Sequence, residues 1–390
     1  MSKLKLFIKG RIGQFAEIEK ACKGCTNIVW VHAASYGEFE EACPVISRIR
    51  ETHPEMKILA TFFSPSGYVA HKNNPLADWV FYLPIDTPGN ARRFLDTVRP
   101  VKVIFSISDY WLFFLKELRK RHIDTYLISG RFVPGMSYFG FFGKPYRTAF
   151  TRTFTKMMVR DRQSSDLLHA IGVKHAPVIG DPRMDRVISI ASEQWSDPII
   201  QEWSRGAKVF VAGSTLAIGD DDIISALINA HPDDRFIVVP HEIGAKDIAH
   251  IRTKVNGNVA LYSAIRDGKS DIPEEANVLI IDTVGMLSRI YRYGFAAYVG
   301  GGFDGSPHSV VEAAVYGIPV SYGPQFGSHY HCQALIDRGG GIAVRNADEL
   351  CGWYDSIRNS PERLDGMGKA AHDYCYEGAG AADAILKEIF

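Results

Sequence analysis

At 390 residues the chain exceeds one ordinary core, and 46 % hydrophobic with 23 % charged residues is the balance of a well-packed globular protein. Forty-four Lys and Arg balance forty-four Asp and Glu, which excludes an all-over basic nucleic-acid binder and an acidic disordered chain. No run of about 18 apolar residues occurs, and the first twenty residues lack a secretory hydrophobic stretch. Six Cys in such a length make no disulfide framework, and Cys22 and Cys25 form a lone C-x-x-C without a second pair at zinc-ligand spacing. The compartment reads as reducing and cytosolic.

Short β-branched or aromatic runs alternate with helical stretches, the pattern of α/β units with parallel sheets. The first half places strands at 28–32, 57–61, 79–83, 102–106, 124–129, 156–160 and 176–179, with helices at 38–50, 88–98 and 111–121 among them. After a polar stretch between residues 185 and 207 the scheme restarts, with strands at 208–212, 236–240, 258–262, 278–282, 296–300, 319–323 and 341–344. Helices fall at 221–230, 284–293 and 309–316. Two doubly wound domains follow, residues 1–190 and 191–390, with the last helix able to pack back on the first. In such sheets ligands bind beyond the carboxyl ends of the strands.

Three loops stand at those ends. In Val31-His32-Ala33-Ala34-Ser35-Tyr36-Gly37-Glu38 a strand runs out and a helix opens at Glu38. A first-turn carboxylate there is either an ordinary helix-dipole partner or a general base beside a cleft. Gly213-Ser214-Thr215 offers a glycine and two hydroxyls at a helix entrance, a weak phosphate signal that ordinary turn chemistry also produces. Gly300-Gly301-Gly302 leads into Ser306-Pro307-His308-Ser309, with Ser306 reading as N-cap, Pro307 as the first helical residue and Glu312 one turn beyond His308. Phosphate at that helix start and a ribose diol on Glu312 fit one nucleotide monophosphate; the G-x-G-x-x-G dinucleotide spacing is absent.

One further stretch, residues 131–156, holds eight Phe or Tyr and five Lys or Arg with no acid. It reads either as buried aromatic core or as a surface for acyl chains and anionic head groups. Lys3, Lys5, Lys9 and Arg11 around Leu4, Leu6, Phe7 and Ile8 repeat that character at the N-terminus.

These loops resemble those of the Kdo transferases, which move 3-deoxy-D-manno-octulosonic acid (Kdo) from CMP-Kdo to a lipid A precursor. HAASYGE matches the family's H-x-x-S-x-G-E, and PSG at residues 65–67 and YLPIDTPGNARRFLDTVRP match its next blocks. AGST, VPHE, DTVGMLSRIY, VGGGF and HSVVEAAVYGIPVSYGP follow in family order, so the resemblance covers nearly the whole chain. VPHE together with RYG at 292–294 is similar to the Bacteroidetes branch.

The resemblance implies a GT-B fold, two Rossmann-like domains facing a cleft. It implies an inverting transferase of lipopolysaccharide biosynthesis with Glu38 as base, using no metal or other cofactor. CMP-Kdo would lie against Gly213, Ser214, Thr215, His241, Gly285, Met286, Gly301, Gly302, His308, Ser309 and Glu312. Ser35, Gly37, Ser66, Gly67 and Asp109 would face the acceptor, joined by Arg131 and Arg147 from the basic aromatic stretch. Partners would be CMP-Kdo, the lipid A precursor and the cytoplasmic face of the inner membrane, with no nucleic acid. Family members usually begin with a hydrophobic anchor, and this chain starts where that anchor would end.

Three departures stand out. The family's E-T-E-L-W is Ile107-Ser108-Asp109-Tyr110-Trp111 here, its Asn after the Gly-rich His is Ser309, and its later Lys residues give way to His329 and His331. Two alternatives stay open: another GT-B enzyme using a UDP-sugar, transferase or epimerase, and a non-catalytic binding protein on the same fold.

Overall fold

The computed structural model describes residues 7–273, 275–327 and 329–390. Lys3, Leu4, Lys5 and Leu6 of the N-terminal lead-in lie outside them. The chain divides into two units, Met1–Arg186 with Gly378–Phe390, and Val187–Glu377.

The first unit opens with helix α1 (Gln14–Cys22) and strand β1 (Ile28–Ala33), followed by α2 (Tyr36–Thr52), β2 (Lys57–Phe62), α3 (Pro65–His71) and β3 (Trp79–Tyr82). Then come α4 (Pro88–Val98), β4 (Lys102–Ser106), α5 (Leu112–Lys120), β5 (Asp124–Gly130), α6 (Lys144–Thr153) and β6 (Lys156–Val159). All-parallel pairing gives the order β3-β2-β1-β4-β5-β6. Every residue of β1 is buried, as a central strand covered on both faces requires. The local chemistry agrees with the fold. Pro88 begins α4 behind Thr87, whose Oγ1 accepts the Asn90 N–H, and α2 turns Phe39, Ala42, Val45, Ile46 and Ile49 to the sheet. The last helix, Ala381–Ile389, packs beside α2, where Asp185 accepts the N–H groups of Gly380 and Ala382. The strand expected at 176–179 reduces to one bridge, Val178 to Val159.

The second unit carries β7 (Val209–Thr215), β8 (Arg235–Pro240), β9 (Val259–Leu261), β10 (Val278–Ile280), β11 (Gly294–Val299), β12 (Val320–Tyr322) and β13 (Gly341–Ala343). They run parallel in the order β13-β12-β11-β7-β8-β10-β9. The strand order therefore reverses between β1 and β4 in the first unit and between β7 and β11 in the second, where β10 also inserts between β8 and β9. The carboxyl ends of those strands are where a doubly wound sheet offers a crevice.

Two expected helix starts are not observed. β7 continues through Gly213, Ser214 and Thr215, pairing Gly213 with Val239 and Thr215 with Pro240, with an irregularity at Ser214. Ser214 is accordingly held at φ +52°, and the next helix begins only at Asp220. Ser306 and Pro307 do not start a helix either; the helix is Val311–Ala314. His308 N–H is bonded to Gly300 O, which keeps residues 301–310 folded back on the end of β11. The Ser306 hydroxyl donates to Phe326 O instead of capping.

Candidate active site

In the first unit the reversal point brings together the ends of β1 and β4. Ser35 is the N-cap of α2 and Glu38 its third residue. Glu38 Oε2 accepts the N–H groups of Ala34 (2.5 Å) and Ser35 (3.3 Å), while Oε1 takes only the Ser108 hydroxyl at 3.3 Å. Burial, and next the charge of Asp109, push the Glu38 carboxyl up to about 7 against those hydrogen bonds. A carboxylate poised near neutrality, one oxygen fixed by backbone and the other held by a single long hydroxyl bond, suits a general base.

Behind it lies a polar chain that the sequence reading passed over. His32 is fully buried, its Nδ1 2.9 Å from Thr61 Oγ1, which also receives the Trp30 indole N–H. Trp111 Nε1–H donates to His32 Nε2 at 3.0 Å. An indole can only donate, so Nε2 is the acceptor and the proton sits on Nδ1. Asp109 Oδ2, 3.4 Å from Nε2, is then not bonded to the ring, and its charge acts on Glu38. The signal was present in the sequence, a His inside an apolar strand opposite a Thr in the next one.

The remaining acceptor-side residues divide. Gly67 has room for no Cβ, because that atom would stand 3.0 Å from the Ser35 carbonyl carbon and 2.6 Å from Phe62. It lets α3 close against the Ser35 turn, where Ser66 Oγ bonds Ser64 Oγ. Gly37 is exposed at the same end. Arg131 follows β5. Arg147 holds the Tyr138 and Gly140 carbonyls, bracing the turn that carries Phe141 and Phe142. Arg11 is likewise taken up, its guanidinium on the carbonyls of Leu83 and Phe63. The basic aromatic stretch splits in two: Phe132, Ala149 and Phe150 are core, whereas Phe141 and Phe142 are each 90 % exposed.

In the second unit Gly213, Ser214, Thr215, His241, Gly301, Gly302 and His308 gather at the ends of β7, β8 and β11. His241 N–H donates to Thr215 O, and its ring stacks on His308 with centroids 4.4 Å apart. Burial, then His241 and His329, hold His308 down to about 4. Ser309 Oγ is buried with no hydrogen bond among the described residues. Gly285 and Met286 lie in the loop after β10, and Glu312 is the second residue of its short helix. His331 is not part of the group; it is buried against Tyr374, 2.7 Å from its hydroxyl.

The glycines act on backbone packing more than the sequence suggested. A Cβ on Gly302 would meet the Gly323 backbone at 2.6 Å. Gly301 N–H is bonded to Asp220, a residue not foreseen, whose Oδ2 also accepts Leu216 N–H and whose Oδ1 takes the Tyr298 hydroxyl. This fully buried carboxylate clasps the β7 and β11 loops together. Asp220→Asn can keep its oxygen on the two N–H groups only by setting its NH2 against the Tyr298 hydroxyl, whose proton loses its acceptor, and leaving such a buried donor unpaired costs about 1–3 kcal/mol. The expected result is a lower melting temperature than that of the wild-type chain.

Residues 8–186 match the family model described as 3-deoxy-D-manno-octulosonic-acid transferase (kdotransferase). The 3-deoxy-D-manno-octulosonic acid transferase of Haemophilus influenzae is 24 % identical over 372 residues, 92 % of this chain and 85 % of that protein. That of Aquifex aeolicus is 24 % identical over 345 residues, 85 % of this chain and 86 % of that protein. The first half of the chain therefore matches a Kdo transferase domain, and the chain is similar to Kdo transferases along most of its length. Kdo transferases are glycosyltransferases, and the two parallel-sheet domains of this chain make a GT-B fold. UDP-GlcNAc 2-epimerase from Neisseria meningitidis, bound to UDP-GlcNAc, superimposes with a TM-score of 0.66 at 14 % identity, covering 93 % of this chain and 99 % of that one. Acinetobacter baumannii MurG does so at 0.58 and 11 %, covering 93 % and 99 %. At such identity the likeness is one of fold.

Proposed function

We propose that this chain is a Kdo transferase, moving Kdo from CMP-Kdo to a hydroxyl of a lipid A precursor, with inversion and with Glu38 as base. The observation that carries the reading is the Glu38 carboxyl itself. It stands at the reversal point of its sheet, Oε2 held by two backbone N–H groups, Oε1 by the Ser108 hydroxyl at 3.3 Å, and its pKa pushed up to about 7. Oε1 takes the acceptor proton as the hydroxyl oxygen bonds to the anomeric carbon. The bond from that carbon to the phosphate oxygen breaks from the opposite side, and CMP leaves with the electron pair.

On the donor side, the stacked His241 and His308 with Ser309 face the phosphate, and Glu312 takes the ribose hydroxyls. The step is proposed to need no metal, the imidazoles and backbone donors meeting the phosphate charge. The acceptor is a membrane lipid, so we place the chain on the cytoplasmic face of the inner membrane. Phe141 and Phe142, exposed beside Lys144, suit an interfacial contact. Among the described residues no helix is long and apolar enough to cross a membrane.

The test is to mix the protein with CMP-Kdo and a lipid A precursor and read product masses, alongside thermal shifts with CMP and UDP. One or two added Kdo masses and stabilisation by CMP are expected. No mass gain, with stabilisation by UDP alone, overturns the reading in favour of a UDP-sugar enzyme.

A further inference from the structure

Between α5 and α6 the first unit carries a cavity open to solvent, of about 750 Å³, within the range of small-ligand sites, roughly 300–1,000 Å³. It exists because α6 turns Thr148, Ala149 and Thr153 toward it, while the aromatic side chains of the same stretch pack with one another. Tyr110 stands 4.6 Å from Phe150 and 5.3 Å from Tyr138, centroid to centroid.

The lining changes character along its length. Ser108 and Asp109, the neighbours of Glu38, form one part. The walls are apolar and aromatic, with Trp111, Leu112 and Tyr146 among them. Lys116, Arg119 and Lys144 add three cations, none of which has an ion pair among the described residues. Asp86, the other carboxylate of the lining, is already occupied: its two oxygens accept the N–H groups of Phe113 and Phe114 at the start of α5.

Unpaired cations around an apolar cavity are complementary to an amphiphile with an anionic head, not to a sugar and not to a neutral lipid. We infer that this cavity holds one acyl chain of the acceptor, with a phosphate of that acceptor on Lys116, Arg119 and Lys144. The inference rests on the proposed acceptor being an acylated sugar phosphate. It adds that the enzyme selects that acceptor through its chain, and that the seated chain brings the accepting hydroxyl up to Glu38 past Ser108 and Asp109.

Calorimetric titration with dodecyl phosphate, inorganic phosphate and the uncharged dodecyl maltoside tests the site without any catalysis. Dodecyl phosphate is expected to bind at least tenfold more tightly than either of the others. Thr148→Phe, which fills the cavity from a half-buried position, is expected to weaken it at least tenfold with the melting temperature kept within a few degrees. The double variant Lys116→Glu/Lys144→Glu is expected to remove the preference for the charged amphiphile over the maltoside. Equal binding of inorganic and dodecyl phosphate, or dodecyl phosphate binding undiminished in Thr148→Phe, overturns the inference.

In turnover, the ratio of kcat/KM for acylated over deacylated acceptor is expected to fall at least tenfold in Thr148→Phe. An unchanged ratio also overturns it. Absence of transfer by the wild-type chain to both acceptors overturns the proposed function instead, and the titration then still decides the cavity.

Discussion

Glu38→Gln is expected to lower sugar transfer by about 10²–10⁴-fold, the range supplied by a positioned general base, while the chain remains folded. The amide keeps an oxygen for the Ala34 and Ser35 N–H groups, so the turn into α2 survives, but it cannot take a proton. The pH dependence gives an independent signature. The base acts ionised, so kcat/KM of the wild-type chain falls as pH drops through about 7. Asp109→Asn removes the charge that helps hold the carboxyl up, and the acid limb of the profile moves to lower pH. Stability runs the other way. A carboxyl whose folded pKa is raised from 4.5 to about 7 favours the fold when protonated, and that advantage is lost as pH rises from the lower value through the upper one. Glu38→Gln is therefore expected to melt above the wild-type chain at pH 8, with the difference gone near pH 4. Activity within a few fold of wild type, or a melting difference independent of pH, would remove Glu38 from the role of base.

How far the sequence foretold these features depends on how local their causes are. The strands of both sheets were legible because parallel strands buried on both faces are short runs such as IVWVHA and KVIFS, which nothing but a covered sheet accommodates. Glu38 was legible for a similar reason: small residues, an N-cap Ser and an acid three residues on are written contiguously. What failed was whatever is fixed by a contact beyond the reach of a turn or a helix cap. Gly213–Thr215 read as a turn because the partner that extends β7, the end of β8, lies 26 residues away at Val239 in the observed register. Ser306 and Pro307 had the right chemistry for a helix start, yet His308 N–H is taken by Gly300 O. Asp220 was invisible because its three partners, Leu216, Tyr298 and Gly301, meet only after β7 and β11 have paired. Arg147 looked like a ligand-binding cation and instead braces carbonyls seven and nine residues back.

The largest effect on stability is expected at Glu41, one turn beyond the proposed base on α2. Its side chain is 1 % exposed and its two oxygens bond separately to Arg160 and Arg183. Arg160 also donates to Ser129 O and stands 3.3 Å from Asp181, which in turn accepts the Arg183 N–H. A buried guanidinium, Arg160, and a partly exposed one, Arg183, are thus balanced by two buried carboxylates, tying α2 to the ends of β5 and β6. Glu41→Ala removes the carboxylate bonded to the buried Arg160 and leaves one positive charge of the cluster uncompensated. Breaking a buried pair from one side costs about 3–5 kcal/mol, and at roughly 2–4 °C per kcal/mol for a domain near 200 residues the melting temperature falls by about 6–20 °C. Glu40→Ala is the control on the same helix turn. Its bond to Arg186 at 2.9 Å joins partners 22 % and 31 % exposed, and a pair that water can screen contributes about 0–1 kcal/mol. Denaturant melts of the two variants side by side should differ severalfold in lost stability. Equal losses would mean that packing around α2, and not the buried charge balance, holds the turn on which Glu38 sits.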